Sequence, residues 1–384
     1  MKIVSITPDI DSGGAAKSLF VLARALARQD IKLHVISIAQ ASRTKRKVEE
    51  LRAMGVEVSF FNIPYFPLQL IVCPIPFWAN AKRTLARLGE FRRLRALVRD
   101  LSPDVLHYNS YTTLHIAALL GGIPSVLHAR EVLVEPAWML PLLKKIMRSR
   151  IAEVIAISPE EGEQAERLFG LPVTTIFNSP LAPPTFAPLP DSTPLVYGVF
   201  SHITPIKGQL ELVRACAKAA RGLREAGVEI RVFGGTVGIH QNYYESVVRE
   251  VEASGVGDII TLAGFTDDPE GEMRKCHLIV RPDATGQPWG RDIIESMSMG
   301  RPTLAAGFSQ TFVKPGETGL LVPPKDTGAL AAALLSLADR DVLETMSKKA
   351  FEFAKMNFNP DRNLKATIDR LTAVAADHGL SGRF

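Results

Sequence analysis

Short apolar runs alternate with amphipathic stretches along most of the chain. The first three apolar runs are KIVSIT, KLHVISIA and VEVSFF, and stretches with helical periodicity separate them at residues 17–28 and 43–54. The runs DVLHYN, IPSVLHA, AEVIAIS and VTTIFN continue the pattern. Strands that alternate with helices form parallel sheets with helices on both faces. The first half of the chain therefore predicts a doubly wound α/β domain.

A Pro-rich stretch at residues 180–194 interrupts this alternation, and few of its residues are able to pack. Such a composition predicts a stiff linker between two domains. The alternation then restarts with the runs LVYGVFSH, EIRVFGG, IITLAG, HLIVRP, TLAAG and GLLVPP. Helical segments accompany them at residues 209–226, 243–254, 292–299 and 327–338.

We therefore predict two doubly wound, Rossmann-like domains, at residues 1–179 and 195–358, and a C-terminal helical segment at residues 359–384. Ligands of such folds bind beyond the carboxyl ends of the parallel strands. Two facing sheets would place the active site in the cleft between the domains.

The stretch from Arg281 to Gly307 contains the strongest chemical signal. A strand end leads into a loop with Trp289 and Gly290, and a helix is predicted to open at Asp292. The unpaired N–H groups of a helix start attract phosphate. The alternative is a capping box, in which Asp292 caps the helix and Glu295 only bonds back to the cap. Both interpretations fit the spacing.

The context of this stretch resembles the donor-binding signature of retaining GT-B glycosyltransferases of family 4. In that family an acidic residue, a Gly/aromatic loop and a Glu eight positions later precede a Gly-x-Pro turn and an apolar strand. Gln287 stands at the first acidic position, whereas the residues that match this signature are Glu295, Ser296, Met297, Gly300, Arg301 and Pro302. The resemblance implies two facing Rossmann-like domains, a C-terminal helix at residues 359–384 that crosses back to the first domain, and transfer from a nucleotide sugar.

The segment FSHITPIKG provides a second match, to the family's Gly-Arg-Leu-x-x-x-Lys-Gly segment. The resemblance implies that Lys207 binds the donor diphosphate as a compact cation, although a lysine in a turn is also often only solvated. His202 stands where the family usually has Arg. Neutral imidazole cannot bind phosphate through two parallel hydrogen bonds as guanidinium does, so this contact is predicted to be weaker.

The resemblance also implies roles for the residues around the helix start. Glu295 would accept hydrogen bonds from the ribose hydroxyls, and backbone around Trp289 and Gly290 would hold the sugar. Asp292 marks the helix opening at the diphosphate, and Arg291 adds a further cation. An amide at Gln287 would supply no charge but could donate to a sugar substituent.

Candidate residues of the first domain follow its strands. Gly13 and Gly14 come between the first strand and a helix, and they fit either a backbone loop near the donor or an ordinary turn. His107 and His128 each end a strand. The resemblance places His128 beside the transferred sugar. Glu131 would orient His128 or contact the acceptor.

Two further polar features have simpler interpretations. Asp9 and Asp11 form an Asp-x-Asp pair that binds metal in a different class of glycosyltransferase, but a pair of acids in a turn is usually solvated. No metal site is therefore predicted. Asn178 resembles the family's Asn near the domain hinge, and we expect it to have a structural role in a turn.

Composition narrows the class of protein. The chain has 384 residues, of which 46% are hydrophobic and 22% charged, as in soluble globular proteins. Its net charge of +5 is too small and too scattered to predict nucleic-acid binding. Cys73, Cys216 and Cys276 lack metal spacing and favour buried thiols in a reducing cytoplasm. The N-terminus lacks the apolar run of a signal peptide.

A basic region follows an uncharged one. Residues 58–81 carry no charge but contain repeated prolines, so we interpret them as apolar loops rather than a membrane span. Residues 82–99 and 144–150 are rich in Lys and Arg. Such runs are most often solvated helix faces, but beside apolar loops they also fit a surface on anionic lipid. We therefore expect a cytoplasmic protein that can bind the inner face of a membrane.

The resemblance implies a retaining, metal-independent hexosyltransferase without a cofactor. A nucleotide-diphosphate sugar of the UDP or GDP type would be the co-substrate, and a glycan or lipid-linked molecule the acceptor. Two alternatives remain open. One is a nucleotide-sugar epimerase on the same fold, and the other is a weakened nucleotide- or glycan-binding protein that has lost the usual residues at Gln287 and His202.

Overall fold

The structure, a computed structural model, describes residues 1–11, 13–38, 45–63, 86–133, 140–236 and 238–381. The chain forms two compact units, Met1–Ser179 with Pro360–Phe384, and Pro180–Asn359. Each unit contains one parallel sheet with helices, so the prediction of two Rossmann-like domains is confirmed. Most of the uncharged loops at residues 64–81, the start of the basic run at residues 82–85, and Cys73 lie outside the described residues.

The first unit contains a seven-stranded sheet with the order β3-β2-β1-β4-β5-β6-β7. Its strands are β1 (Lys2–Thr7), β2 (Lys32–Ser37), β3 (Glu57–Phe60), β4 (Val105–Tyr108), β5 (Ser125–Ala129), β6 (Glu153–Ala156) and β7 (Val173–Thr175). Its first six described helices are α1 (Gly13–Leu26), α2 (Lys45–Ala53), α3 (Leu88–Leu101), α4 (Leu114–Ala117), α5 (Leu140–Arg150) and α6 (Pro159–Phe169). Every pair of neighbouring strands is parallel.

The second unit contains a six-stranded sheet with the order β10-β9-β8-β11-β12-β13, again parallel throughout. Its strands are β8 (Leu195–Phe200), β9 (Val228–Phe233), β10 (Ile260–Gly264), β11 (Leu278–Arg281), β12 (Thr303–Ala306) and β13 (Gly319–Val322). Its described helices are α7 (Gln209–Glu225), α8 (Gln241–Ser254), α9 (Pro269–Arg274), α10 (Arg291–Met297), α11 (Thr327–Ser336) and α12 (Arg340–Asn357).

Burial explains the composition of the central strands. Helices cover both faces of a parallel sheet, so its inner strands are apolar along most of their length. The strands β4, β5, β6, β11 and β12 are buried at every position. The polar side chains buried in them, such as His107 and His128, therefore require specific partners.

The helix Arg340–Asn357 was not predicted from the sequence. Its N-cap residue is Asp339, whose carboxylate accepts hydrogen bonds from the N–H groups of Asp341 and Val342. Near its C-terminal end, the ring of Phe353 packs on Phe358, with 5.7 Å between ring centroids. Charged residues are dense along this helix, and they obscured the apolar face that packs inward.

The Pro-rich segment predicted as a linker lies on the second unit. The Thr185 N–H donates to the Ser298 carbonyl at 2.9 Å, and the ring of Phe186 contacts Phe351 with a centroid distance of 5.2 Å. The side chain of Arg301 is 1% exposed and binds this segment through the carbonyls of Ala187 and Pro188 at 2.7 and 3.0 Å. Residues 180–194 are therefore grouped with the second unit.

The C-terminal helix α13 (Pro360–Ser381) is grouped with the first unit, although it follows the second unit in sequence. Arg370 donates two hydrogen bonds of 2.6 Å to the carboxylate of Glu153, whose side chain is 2% exposed. Leu371 is fully buried in the same core as strand residue Ile3. A two-bond guanidinium–carboxylate pair and apolar packing thus hold this helix on the first sheet.

Candidate active-site residues in each unit

The site of the second unit is built where two neighbouring strands end. The strand β8 leads into a 3-10 turn, Pro205–Lys207, and the adjacent strand β11 leads into the loop at residues 282–290. The Ala284 N–H donates to the Ile206 carbonyl at 2.9 Å, which joins the loop to the turn. Parallel strands bring these two segments to the same edge of the sheet.

Gly208 permits the close approach of this turn to the loop. Its φ is +71°, and a Cβ atom there would lie 1.9 Å from the carbonyl oxygen of Pro282. Because any larger residue would collide with backbone, the turn and the loop can meet in this way only with glycine at this position.

Lys207 is held by a buried acid that the sequence analysis did not identify. Its Nζ atom lies 2.9 Å from the Asp283 carboxylate, which is 1% exposed. Asp283 also accepts hydrogen bonds from the Thr285 N–H at 3.0 Å and from Arg281 at 3.3 Å. Burial would raise the pKa of Asp283, but Lys207 and Arg281 outweigh it and lower the pKa below its usual value. Asp283 is therefore a carboxylate that orients Lys207.

Arg281 connects the strand end to the helix start. Its guanidinium donates to both carboxylate oxygens of Asp292 at 2.7 and 2.9 Å, and to the Gln287 carbonyl at 2.9 Å. A Cβ atom on Gly290 would lie 2.6 Å from this guanidinium and 2.5 Å from Asp292. The buried ion pair thus folds the loop back on itself and leaves no room for a side chain at Gly290.

The capping-box interpretation of this helix start is wrong. The helix begins at Arg291, one residue earlier than predicted, and Gly290 is its cap residue. Asp292 pairs with Arg281, and the Glu295 carboxylate accepts a hydrogen bond from Arg291 Nε at 3.0 Å. The Arg291 and Glu295 side chains are 10% and 5% exposed. Both acids therefore have partners other than the cap backbone.

The other predicted donor residues surround this network. Trp289 is buried at 9% exposure and packs on Phe312, with 6.4 Å between ring centroids. Gln287 is half-buried, and its backbone carbonyl accepts a hydrogen bond from Arg281 at 2.9 Å. His202 is exposed, and its carbonyl accepts a hydrogen bond from Gln209 at 3.0 Å. Trp289 is thus a packing residue at the base of the loop.

In the first unit, a buried histidine pair occupies the ends of β4 and β5. His107 Nε2 lies 3.3 Å from His128 Nδ1, and Ser5 Oγ lies 2.9 Å from His107 Nδ1. Arg130 reaches the same His128 Nδ1 atom at 3.1 Å and donates to the Asn178 side-chain oxygen at 2.7 Å. The four side chains Ser5, His107, His128 and Arg130 are called the histidine chain below.

Burial keeps both imidazoles neutral. Desolvation, reinforced by the positive charge of Arg130, lowers the pKa of His107 to about 3. The same causes, with a further contribution from His107, lower the pKa of His128 well below its ordinary value. His128 thus enters any interaction near neutral pH as neutral imidazole.

Glu131 does not orient His128. Its carboxylate accepts a hydrogen bond of 2.5 Å from Ser110, on the turn after β4, while Arg130 makes the contact with His128. Burial raises the pKa of Glu131 although the Ser110 hydrogen bond and Arg130 lower it. A role of Glu131 toward an acceptor stays a prediction.

The two glycines near the N-terminus form a helix start and not a separate loop. The helix α1 begins at Gly13, which has a φ of +84°, and Gly14 lies in its first turn. Both glycines are exposed. The Asp9 carboxylate accepts a hydrogen bond from the Asp11 N–H at 3.0 Å, as in an ordinary turn. Asn178 accepts hydrogen bonds from Arg130 and Ser18, consistent with the structural role expected for it.

Two general features bear on function. Among the described residues, no group of three His, Cys, Asp or Glu side chains is placed to hold a metal ion. In the same part of the chain, no helix has both the length and the apolar character needed to cross a bilayer. Cys216 and Cys276 are buried, as predicted, and burial raises the pKa of each thiol to about 12.

The described part of the basic run forms one wall of a cavity. This cavity has a volume of about 1220 Å³ and lies beside α3, at the amino ends of β4 and β5. Arg92, Arg95 and Arg99 of α3 and Arg150 at the end of α5 line it, together with apolar side chains such as Phe91. We call it the arginine cavity.

Several residues that build these sites were missed from the sequence. Arg281 and Asp283 flank Pro282 directly after an apolar strand, and Arg130 follows His128 by two positions. Charged residues at the carboxyl end of a buried parallel strand were the available signal. Arg301 matched the family signature, but its structural role was missed because its partners are the backbone carbonyls of distant segments.

Comparison with known families gives matches to both units. Residues 12–179 match the model described as Glycosyltransferase Family 4. Residues 194–340 match the model described as Glycosyl transferases group 1. The two matches together cover most of the chain, and their boundary falls in the Pro-rich segment.

Individual relatives span nearly the same length. The phosphatidyl-myo-inositol mannosyltransferase of Mycobacterium leprae is 24% identical over 333 residues, covering 82% of this chain and 84% of its own. The crystal structure of Anabaena HepE in complex with UDP-glucose superposes with a TM-score of 0.78 at 20% identity, covering 97% of this chain and all of its own. The sucrose-phosphate synthase of Thermosynechococcus elongatus superposes with a TM-score of 0.75 at 20% identity, covering 98% and 99% of the two chains.

The neutral histidines predict an acid-sensitive first unit. Unfolded histidine takes up a proton below pH of about 6.5, whereas the buried pair resists protonation. Their contribution to stability is therefore complete above that pH and is lost as the pH falls toward 3. Each histidine adds up to about 1.4 kcal/mol per pH unit to the slope of the free energy of unfolding.

We expect His107→Gln to have a shallower loss of stability between pH 6.5 and 4.5 than the wild type, as measured by denaturant unfolding at each pH. His202→Gln, which changes an exposed histidine, is the matched control and should keep the wild-type slope. Equal slopes for the wild type and His107→Gln would contradict the assignment.

Proposed function

The chain belongs to the glycosyltransferases of family 4 and group 1, and from this membership we propose that it moves a sugar from a nucleotide-diphosphate sugar to a glycan or lipid-linked acceptor, with retention of the anomeric configuration. The observation that carries the proposal is the charged network of the second unit. There, Lys207 lies at the carboxyl end of β8 and is oriented by Asp283 against the loop at residues 282–290.

The network suits the diphosphate because its cations are already in place. Lys207, Arg281 and Arg291 are each paired with a carboxylate, so their positions are fixed before a ligand binds. Preorganised donors need little reorganisation when negative charge develops on a leaving group. Lys207 is the most accessible of the three, with a side chain 25% exposed, and we assign the diphosphate contact to it.

Glu295 is proposed to bind the ribose hydroxyls. Its carboxylate lies one turn into α10 and is held by Arg291, so it can accept further hydrogen bonds without moving. The backbone of Trp289 and Gly290 lies directly before this helix and would line the sugar site. Anabaena HepE binds UDP and UDP-glucose, which supports a nucleotide sugar as the donor of this chain.

Rate acceleration would come from the leaving group. As the bond between sugar and diphosphate lengthens, negative charge grows on the diphosphate, and Lys207 then interacts more strongly than in the ground state. The cation that stabilises this charge is a side chain, so we propose transfer without a metal ion. No side chain is assigned as a covalent nucleophile.

The acceptor is proposed to carry a lipid or to lie at a lipid surface. The Mycobacterium leprae relative is a phosphatidyl-myo-inositol mannosyltransferase, and its substrate is a lipid. The arginine cavity places cationic side chains beside apolar ones. Anionic headgroups attract such a surface, at about 1 kcal/mol for each Lys or Arg near the lipid.

A weakened binding protein is the second candidate function. Gln287 stands where the family usually has an acidic residue, and His202 stands where it usually has arginine. The amide of Gln287 carries no charge. Under this alternative, nucleotide sugar would bind but acceptor-dependent turnover would be absent.

The first experiment measures nucleotide release from UDP- and GDP-sugars with and without a mixture of membrane lipids and oligosaccharides. We expect release that depends on the acceptor, a product with the donor's anomeric configuration and unchanged rates in excess EDTA. Tight nucleotide binding without release would favour the weakened protein. Inversion, or recovery only with Mn²⁺, would overturn the proposed mechanism.

A further prediction concerns Lys207. Lys207→Ala should lower kcat/KM for the donor by about 100-fold or more, since loss of one preorganised donor costs about 3 kcal/mol in comparable sites. Lys218→Ala is the matched control, because Lys218 is an exposed lysine of the same unit that contacts Thr327. Equal activity of the two variants would remove Lys207 from the diphosphate site.

Another prediction concerns the arginine cavity. Binding to vesicles that contain anionic lipid should weaken as salt rises, because exposed charges are screened within about 10 Å at 0.1 M. The double change Arg92→Gln with Arg95→Gln should reduce this binding severalfold. Arg221→Gln, an exposed arginine of the second unit, should leave it unchanged. Equal binding to neutral vesicles would argue against the proposal.

A further inference from the structure

Two donors converge on one nitrogen of His128. Arg130 NH2 lies 3.1 Å from His128 Nδ1, and His107 Nε2 lies 3.3 Å from the same atom. A guanidinium has only N–H donors and no acceptor, and it stays charged in proteins. The Arg130 contact is therefore a hydrogen bond only if Nδ1 offers a lone pair. Neutral imidazole with an unprotonated Nδ1 carries its proton on Nε2.

The rest of the histidine chain agrees with this direction. If His107 Nε2 carries a proton, it also donates to His128 Nδ1, and His107 Nδ1 then accepts from the Ser5 hydroxyl at 2.9 Å. The opposite tautomer of His107 would direct two lone pairs at each other across 3.3 Å. All donors in the histidine chain thus run toward His128.

The last donor of the chain has no partner within the protein. His128 is 4% exposed, and among the buried polar atoms of the described chain its Nε2 has no hydrogen-bond partner. A buried N–H group without an acceptor is unfavourable, and such groups often mark the position of a ligand or a water molecule. An oxygen atom with an available lone pair would satisfy it.

We propose that Arg130 and His107 are positioning residues that hold His128 in the Nε2–H tautomer, so that His128 donates a hydrogen bond to an oxygen of the bound sugar and does not act as a base. The assignment of a sugar to this donor rests on the proposed function. The tautomer itself rests only on the contacts of the first unit.

This arrangement has a chemical consequence. An imidazole whose Nε2 is protonated and whose Nδ1 accepts two hydrogen bonds has no free lone pair for a substrate proton. His128 would therefore donate a hydrogen bond to a hydroxyl or ether oxygen of the ligand, and it could not accept a proton from the ligand. A ligand group that can only donate at this point would be rejected.

The test measures the tautomer in the full-length protein without substrate. Protein labelled with ¹⁵N at histidine is recorded by long-range ¹H–¹⁵N NMR at pH 7.5, and the His128 signals are assigned by their loss in His128→Gln. We expect protonated Nε2 and unprotonated Nδ1 for both His107 and His128. A proton on His128 Nδ1 in the wild type would overturn the proposal without any activity measurement.

Matched variants separate positioning from packing. In His107→Gln the amide nitrogen falls near the former Nε2 and can still donate to His128, whereas in His107→Asn it falls near Nδ1 and cannot reach. We expect His107→Gln to keep the His128 tautomer. His107→Asn and Arg130→Met should populate the Nδ1–H tautomer and lower kcat about tenfold, with KM for the donor nearly unchanged.

The outcomes distinguish this proposal from the function on which it partly rests. An unchanged tautomer in both His107→Asn and Arg130→Met would overturn the positioning roles. If these variants disturb the Nε2–H tautomer but the wild-type protein transfers no sugar, the positioning roles are supported and the proposed glycosyltransferase function is wrong. If both variants lose kcat but keep the tautomer, their effect is on packing and the proposal is overturned.

Discussion

Compensation of buried charge is the constraint on which both units depend. Arg281, Arg301 and Arg130 are largely withdrawn from water, and each is surrounded by acceptors that the fold brings from separate segments. A buried guanidinium without such acceptors would cost several kcal/mol. The loops that supply those acceptors are therefore fixed in place. Burial lowers the pKa of Arg301 to about 10, which still leaves it charged near neutral pH.

The two units meet this constraint with different chemistry. In the second unit, cations and carboxylates alternate around the loop at residues 282–290 and pair with one another. In the first unit, Arg130 forms hydrogen bonds with the side chains of His128 and Asn178, and burial together with the charge of Arg130 keeps the neighbouring histidines uncharged. We propose that the first arrangement stabilises developing negative charge and that the second orients a neutral hydrogen-bond donor.

Sequence patterns predicted the sheets because burial on both faces leaves apolar runs that are easily recognised. The resemblance of two segments to the family signature made Lys207 and Glu295 candidates, and their roles stay predictions. Sequence patterns did not show that Asp283 orients Lys207, or that Asp292 pairs with Arg281, because spacing alone does not distinguish a cap from an ion pair. The helix Arg340–Asn357 and the course of residues 180–194 depended on tertiary contacts, which no local pattern contains.

The close approach of Gly208 to Pro282 limits how the loop at residues 282–290 can be exchanged for that of a relative. The turn at Pro205–Lys207 and the loop at residues 282–290 come from distant parts of the chain, but they fit together at a separation that admits no side chain. A chimaera that receives only the loop of another family member would inherit half of a matched pair. An exchange of this loop must therefore move the turn together with it, or use a parent that already has glycine after its lysine.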